Sequence, residues 1–132
     1  MRYVAFCLLI FTLFMSCEKL DKVSEPSMTS DLDGKWALQS VRCFCFFPDD
    51  FDFSVHQLEF DTMANEVRVD NSEGTNFVTG SGTYPFTIQN DSIVIKERIA
   101  YTYQIDGTIL ILTFIDDPQL ADDEISLVYS KL

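Results

Sequence analysis

The sequence predicts an all-β domain, an eight-stranded antiparallel up-and-down barrel, on three observations. Apolar residues recur at every second position in successive short runs, the period of a strand with one buried face. Turn residues separate the runs, so that strands adjacent in sequence are joined by hairpins. No segment repeats its apolar residues at helical spacing, although Pro118 to Asp123 could hold one short turn. A two-sheet sandwich is the second reading.

In chain order, Trp36 to Phe46 form the first strand. Leu58 and Phe60 alternate with Gln57, Glu59 and Asp61, and Val67 and Val69 with Glu66, Arg68 and Asp70. Tyr84, Phe86 and Ile88 share one face, as do Ile93 and Ile95, and Ile99, Tyr101, Tyr103 and Ile105 form a longer run of the same kind. Thr108 to Phe114 are almost all apolar, which predicts a strand buried on both faces, and Ile125, Leu127 and Tyr129 close the series. Asp106-Gly107 is the strongest turn signal, because both central positions of a type I′ turn need positive φ. Asn90-Asp91 and Ala64-Asn65 read as tight turns, and Asn71 to Asn76 and Gly80-Ser81-Gly82 as longer loops.

The N-terminus differs from everything after it. Arg2 precedes the twelve-residue apolar run Val4 to Met15, and Ser16-Cys17 follows. A membrane span takes about 20 residues, so the run reads as an export signal that is cleaved. The junction resembles a bacterial lipoprotein signal, which implies cleavage before Cys17, a lipid on its thiol and a membrane anchor. Secretion without lipid and a buried core segment are the alternatives. The chain thus divides into a signal peptide (1–16), an anchor site and flexible tether (17–30) and a barrel domain (31–132). Glu18 rather than Asp follows the cysteine, which by the same resemblance favours the outer membrane of the cell envelope.

Charge narrows the partners. The chain carries 21 acidic and nine basic residues, a net charge of −12, and losing Arg2 with the signal makes residues 17–132 one unit more negative. Such a surface repels phosphate backbones, so no nucleic-acid partner is expected. Of four cysteines, Cys7 leaves with the signal and Cys17 is the anchor, which leaves Cys43 and Cys45. An exported protein meets oxidising conditions, so these two are a candidate disulfide. In an ideal strand their Cα atoms would stand about 6.6 Å apart, so a bond needs a bulge or turn.

Gly34-Lys35-Trp36, opening the first strand after a polar leader, resembles the Gly-x-Trp signature of lipocalins. Together with Leu127 to Leu132, the span 31–132 is similar to the lipocalin-like domain of small Bacteroidota-type lipoproteins. The resemblance implies that Gly34 turns the chain into the strand and that Trp36 plugs one end of the barrel. Lipocalins usually cover that tryptophan with an arginine of the last strand; here Lys131 is the only basic residue near the end. It also implies that the loop after the first strand lies over the open end. That loop is rich in phenylalanine, and Phe46, Phe47, Phe51 and Phe53 are the candidate lining of a ligand mouth, the bland reading being rings that seal the barrel.

Chemistry beyond binding finds little footing. His56, the one histidine, could join Cys43, Cys45 and Asp49, Asp50 or Asp52 around zinc, but Cys-x-Cys is not the usual zinc spacing. We assign no metal and no cofactor, and read His56 as a strand residue. Asp116, Asp117, Asp122, Asp123 and Glu124 lack the EF-hand order and read as a solvated acidic loop. Gly80-Ser81-Gly82 is not a nucleophile elbow, and no phosphate-binding or dinucleotide fingerprint occurs, so an enzyme is not expected. The leading expectation is a lipid-anchored barrel that binds a small apolar or amphipathic ligand at its mouth. The alternative is a ligand-free structural or interaction protein that contacts envelope partners.

Overall fold

The computed structural model describes residues 28–71, 74–115 and 124–132. The signal peptide, Cys17, most of the tether, the turn expected at Pro118 to Asp123 and all of the acidic loop but Glu124 lie outside the described residues.

A five-residue helix, α1 (Met28–Leu32), leads into eight strands: β1 (Gly34–Arg42), β2 (Gln57–Asp61), β3 (Glu66–Asp70), β4 (Gly82–Gln89), β5 (Ser92–Ile95), β6 (Ile99–Asp106), β7 (Ile109–Phe114) and β8 (Ser126–Lys131). Each strand pairs antiparallel with its sequence neighbours and β8 pairs back to β1, closing the barrel. Closure satisfies every strand on both sides and leaves no edge to template aggregation. The barrel expected from the sequence is therefore the fold.

Alternation sets the interior. Leu58 and Phe60, Val67 and Val69, Ile93 and Ile95, Leu110 and Leu112, and Leu127 and Tyr129 are all buried, while their neighbours face outward. In β1 the register slips between Leu38 and Ser40 opposite β8. This bulge resets the alternation, so that after Trp36 and Leu38 the next side chain packed against the core is Val41. Rings fill much of the space, with Phe60 against Phe86 at 5.3 Å and Tyr101 against Phe114 at 5.6 Å between centroids. The buried apolar residues form one contiguous cluster, as an eight-stranded barrel barely wider than its side chains requires. All of that cluster lies between Leu32 and Tyr129, so this span has the core and the pairing to fold on its own.

Four details depart from the sequence reading. The first strand ends at Arg42, not Phe46, because the chain bends through Cys43 and Phe44 and reaches Pro48. The last tether residues, 28–30, belong to α1. β7 is buried on one face only: Leu110 and Leu112 point in, while Ile109 and Ile111 face outward, with no second layer over them among the described residues. The β6–β7 turn consists of Gly107 and Thr108, with positive φ at Gly107 alone, because Asp106 still pairs with Ile109.

β1 runs from the end of the barrel that holds α1 to the opposite end. The β2–β3, β4–β5 and β6–β7 turns lie with α1. The long β1–β2 and β3–β4 connections and the β5–β6 turn lie at the other, open end, where β7 ends and β8 begins.

Candidate functional site at the open end

The β1–β2 connection packs back on itself over the mouth. Phe51 N–H donates to the Pro48 carbonyl (3.0 Å) and His56 N–H to the Phe53 carbonyl (3.0 Å). Between them a 3₁₀ turn, Phe53–Val55, is capped by Asp52, whose carboxylate accepts from Ser54 Oγ (2.6 Å) and Ser54 N–H (2.9 Å). These two bonds, the hydroxyl first, hold the Asp52 carboxyl below its usual pKa.

That folding brings three of the four candidate mouth residues together. Phe47, Phe51 and Phe53 meet at centroid separations of 4.8 to 5.1 Å. Phe77, from the β3–β4 connection, joins all three at 5.9 to 6.2 Å. Phe46 stands outside the cluster and is 94% exposed; the phenylalanine-rich composition that grouped it with the others does not fix where a ring on an irregular loop points. Phe44, also outside, is 92% exposed.

His56 is the hub beneath the rings and is not a strand residue. It is 2% exposed, lies edge-on to Phe77 at 4.5 Å and stacks at 6.2 Å from Phe51. Its Nδ1 is 3.0 Å from Asn71 Oδ1. Asn71 Nδ2 donates to the Thr79 carbonyl (2.8 Å), which fixes the amide so that its oxygen faces the imidazole. Nδ1 therefore carries the proton and donates. Asn71 N–H donates to Ser81 Oγ (2.9 Å), and Tyr84 Oη donates to the Gly80 carbonyl (2.8 Å), so polar bonds brace the β3–β4 loop that delivers Phe77. Phe77 and Asn71 have no mark in the sequence that singles them out.

Cys43 and Cys45 are joined as a disulfide across the bend that ends β1, with Cα atoms 5.2 Å apart, inside the bridging range. Among the described residues no three His, Cys, Asp or Glu side chains gather as a metal site. Two surface depressions lie along the outer face of β1–β3, both beside Glu59 and Arg68.

The opposite end is closed by Trp36, which is fully buried and donates from Nε1 to the Leu32 carbonyl (2.8 Å). Gly34 precedes it at φ +106°, a conformation that disfavours any side chain. Lys131 pairs with Trp36 across β1 and β8; its Nζ sits 5.0 Å from the indole centroid and donates to the Asp31 carbonyl (2.9 Å). The lysine thus occupies the covering position for which the sequence offers no arginine.

No family model matches the chain, and no curated protein matches it.

Proposed function

We propose that this chain is a non-enzymatic interaction module of the cell envelope, a lipocalin-like barrel filled by its own side chains and tethered to the membrane, preferably the outer membrane, through lipidated Cys17. One observation carries the choice between the two readings of the sequence. Phe47, Phe51 and Phe53 pack ring on ring with one another and with Phe77, and Phe53 and Phe77 pack against the core. A filled barrel acts through its outside, and the open end supplies a contact element in Phe44 and Phe46, whose rings face solvent beside the Cys43–Cys45 disulfide. Two exposed phenylalanines so close in sequence are costly on a soluble surface, and such patches mark binding sites.

The carrier reading has a specific observation too. Phe47, Phe51 and Phe53 keep intermediate exposure, so a parted lid would offer aromatic surface to an apolar ligand. Native mass spectrometry of residues 18–132, exported and kept unreduced, separates the two. A bare protein that fails to light up a hydrophobic fluorescent probe supports the filled module. A stoichiometric small-molecule adduct overturns it in favour of a carrier. For the anchor, Cys17→Ser is expected to move the protein from the membrane to the soluble fraction; unchanged fractionation would remove the lipid from the proposal.

A further inference from the structure

The outer surface of the barrel is divided by charge. On β2 and β3 the outward side chains are Gln57, Glu59 and Asp61, then Glu66, Arg68 and Asp70. Lys35 of β1 adds an ion pair with Glu59 at 3.8 Å. From β4 to β8 the outward positions change character. β4 turns out Thr83, Pro85, Thr87 and Gln89, and β5 Ser92 and Val94. β6 follows with Ala100, Thr102 and Gln104 before Asp106 at its end. β7 presents Ile109, Ile111 and Thr113, and β8 presents Ser126, Val128 and Ser130. Between their ends these five strands carry no outward charge, on a chain with 30 charged residues in 132.

The centre of this face is uncharged, with apolar side chains on β7 and β8 and an amide on β6. Ile111 stands directly opposite Val128 on β8 and Gln104 on β6. One row away Thr102, Thr113 and Ser126 line up, and the two hydroxyls of Thr113 and Ser126 bond to each other at 2.9 Å. Their polar groups are thus partly turned to one another. Ile109, 36% exposed, extends the apolar patch toward the β6–β7 turn.

We infer that this β6–β7–β8 face is the contact surface of a homodimer, its occupant a second copy of this chain. The argument is one of charge. Two copies of so acidic a chain repel through any pair of faces that opposes carboxylates, and a face without them lets the chains meet at low electrostatic cost. A two-fold contact sets the same patch against itself, so a surface without charge between its strand ends suits it. A differently charged partner, by contrast, would find nothing here to steer it or fix its register. Three strands about 4.8 Å apart offer a patch on the order of 300–400 Å², about half of the ~800 Å² per partner of a standard interface. The dimer is accordingly weak and concentration-dependent. The inference does not depend on whether the barrel is filled or lipidated.

Sedimentation equilibrium of residues 18–132, from about 5 to about 500 µM, brackets the affinity of so small a contact. The expected result is a monomer–dimer equilibrium that tightens when salt is raised, since screening weakens the repulsion between the two acidic chains. Ile111→Glu places like charges near each other across the two-fold contact and should weaken the dimer at least about tenfold. Gln57→Glu adds the same charge on the acidic half and should change it by no more than about twofold. Thr102→Glu, in the neighbouring row, serves if Ile111→Glu does not give the parent circular dichroism spectrum. A monomer at every concentration and salt overturns the inference. So does a dimer that survives both face variants, or one that only Phe44→Ser/Phe46→Ser abolishes, which would put the contact on the open-end loop. Neither outcome bears on the mass spectrometric test of the filled barrel.

Discussion

At the closed end a single indole is held by a backbone carbonyl and one ammonium; at the open end four phenyl rings and an imidazole hold one another. Trp36 sits where β1, β8 and α1 converge, and its partners are main-chain or adjacent in the ladder: Leu32 four residues back, Lys131 across the register. The backbone there is itself tied, with Leu132 N–H donating to the Lys35 carbonyl (2.9 Å) and Lys131 N–H to Thr108 (2.8 Å). The open end draws instead on two connections whose meeting depends on the barrel having closed, and its rings are half-exposed. A short local motif seals one end in a way that tolerates little change. A composite of side chains seals the other, and such regions sit lower on the scale of local stability.

Breaking the closed end should therefore cost most. Trp36→Ala removes the largest fully buried side chain, and a loss of about 3–5 kcal/mol is expected, a large part of the ~5–15 kcal/mol of a whole domain. Denaturant unfolding reads it directly. A loss under about 1 kcal/mol would mean that this end is as replaceable as the other.

Next comes a test that both seals keep water from the interior. Burial pushes the Tyr101 hydroxyl from 10.0 up to about 12, and pushes Tyr129 up as well, by burial first and by Tyr101 second. The fold holds Tyr101 neutral where the unfolded chain would ionise it. Below pH 10 it therefore contributes no pH dependence, and between pH 10 and about 12 stability should fall by about 2–3 kcal/mol. Tyr101→Phe should remove that share from a stability–pH curve. A curve unchanged by the substitution would show that water reaches the ring.

The two ends also differ in how far they could be read from the sequence. Gly34 and Trp36 stand two positions apart and are rare residue types in this chain, so they stand out without any knowledge of the fold. Period-two alternation located Leu58 and Phe60 or Val67 and Val69 because the positions between them are charged. It failed at β7, where outward Ile109 and Ile111 are as apolar as inward Leu110 and Leu112, and a run of that kind carries no information about facing. At the open end the density of phenylalanine marked Phe47, Phe51 and Phe53 and equally Phe46, which stands apart from their cluster, since a bent loop has no fixed period to tell them apart. Phe77 and Asn71 were invisible: each is an ordinary loop residue until closure sets it against His56. Lys131 was visible as a charge, but only the register of β1 on β8 puts it over Trp36.

The open end has its own weak point in the polar contact beneath the rings. Asn71→Ala would leave the buried His56 Nδ1–H without its acceptor, at a cost of about 1–3 kcal/mol. It should also raise amide exchange in the β1–β2 and β3–β4 connections while leaving β6–β8 protected. Exchange that rises equally around the barrel would erase the distinction between the two ends.

The smallest effect tests what secures the indole. Lys131 is exposed, and an exposed ammonium over an aromatic face contributes about 0.5–1 kcal/mol. Its hydrogen bond to the Asp31 carbonyl adds little where water competes for both groups. Lys131→Met keeps an apolar stem of similar length and removes only the charge, so it should cost no more than that amount. Lys131→Ala removes the stem as well and exposes one edge of Trp36. If the two variants lose the same stability, the cation is what matters; if only Ala is costly and reddens the tryptophan emission, the stem is the lid. Either way the loss stays well below that of Trp36→Ala, because the indole is buried chiefly by the strands and α1, and the lysine closes what they leave open.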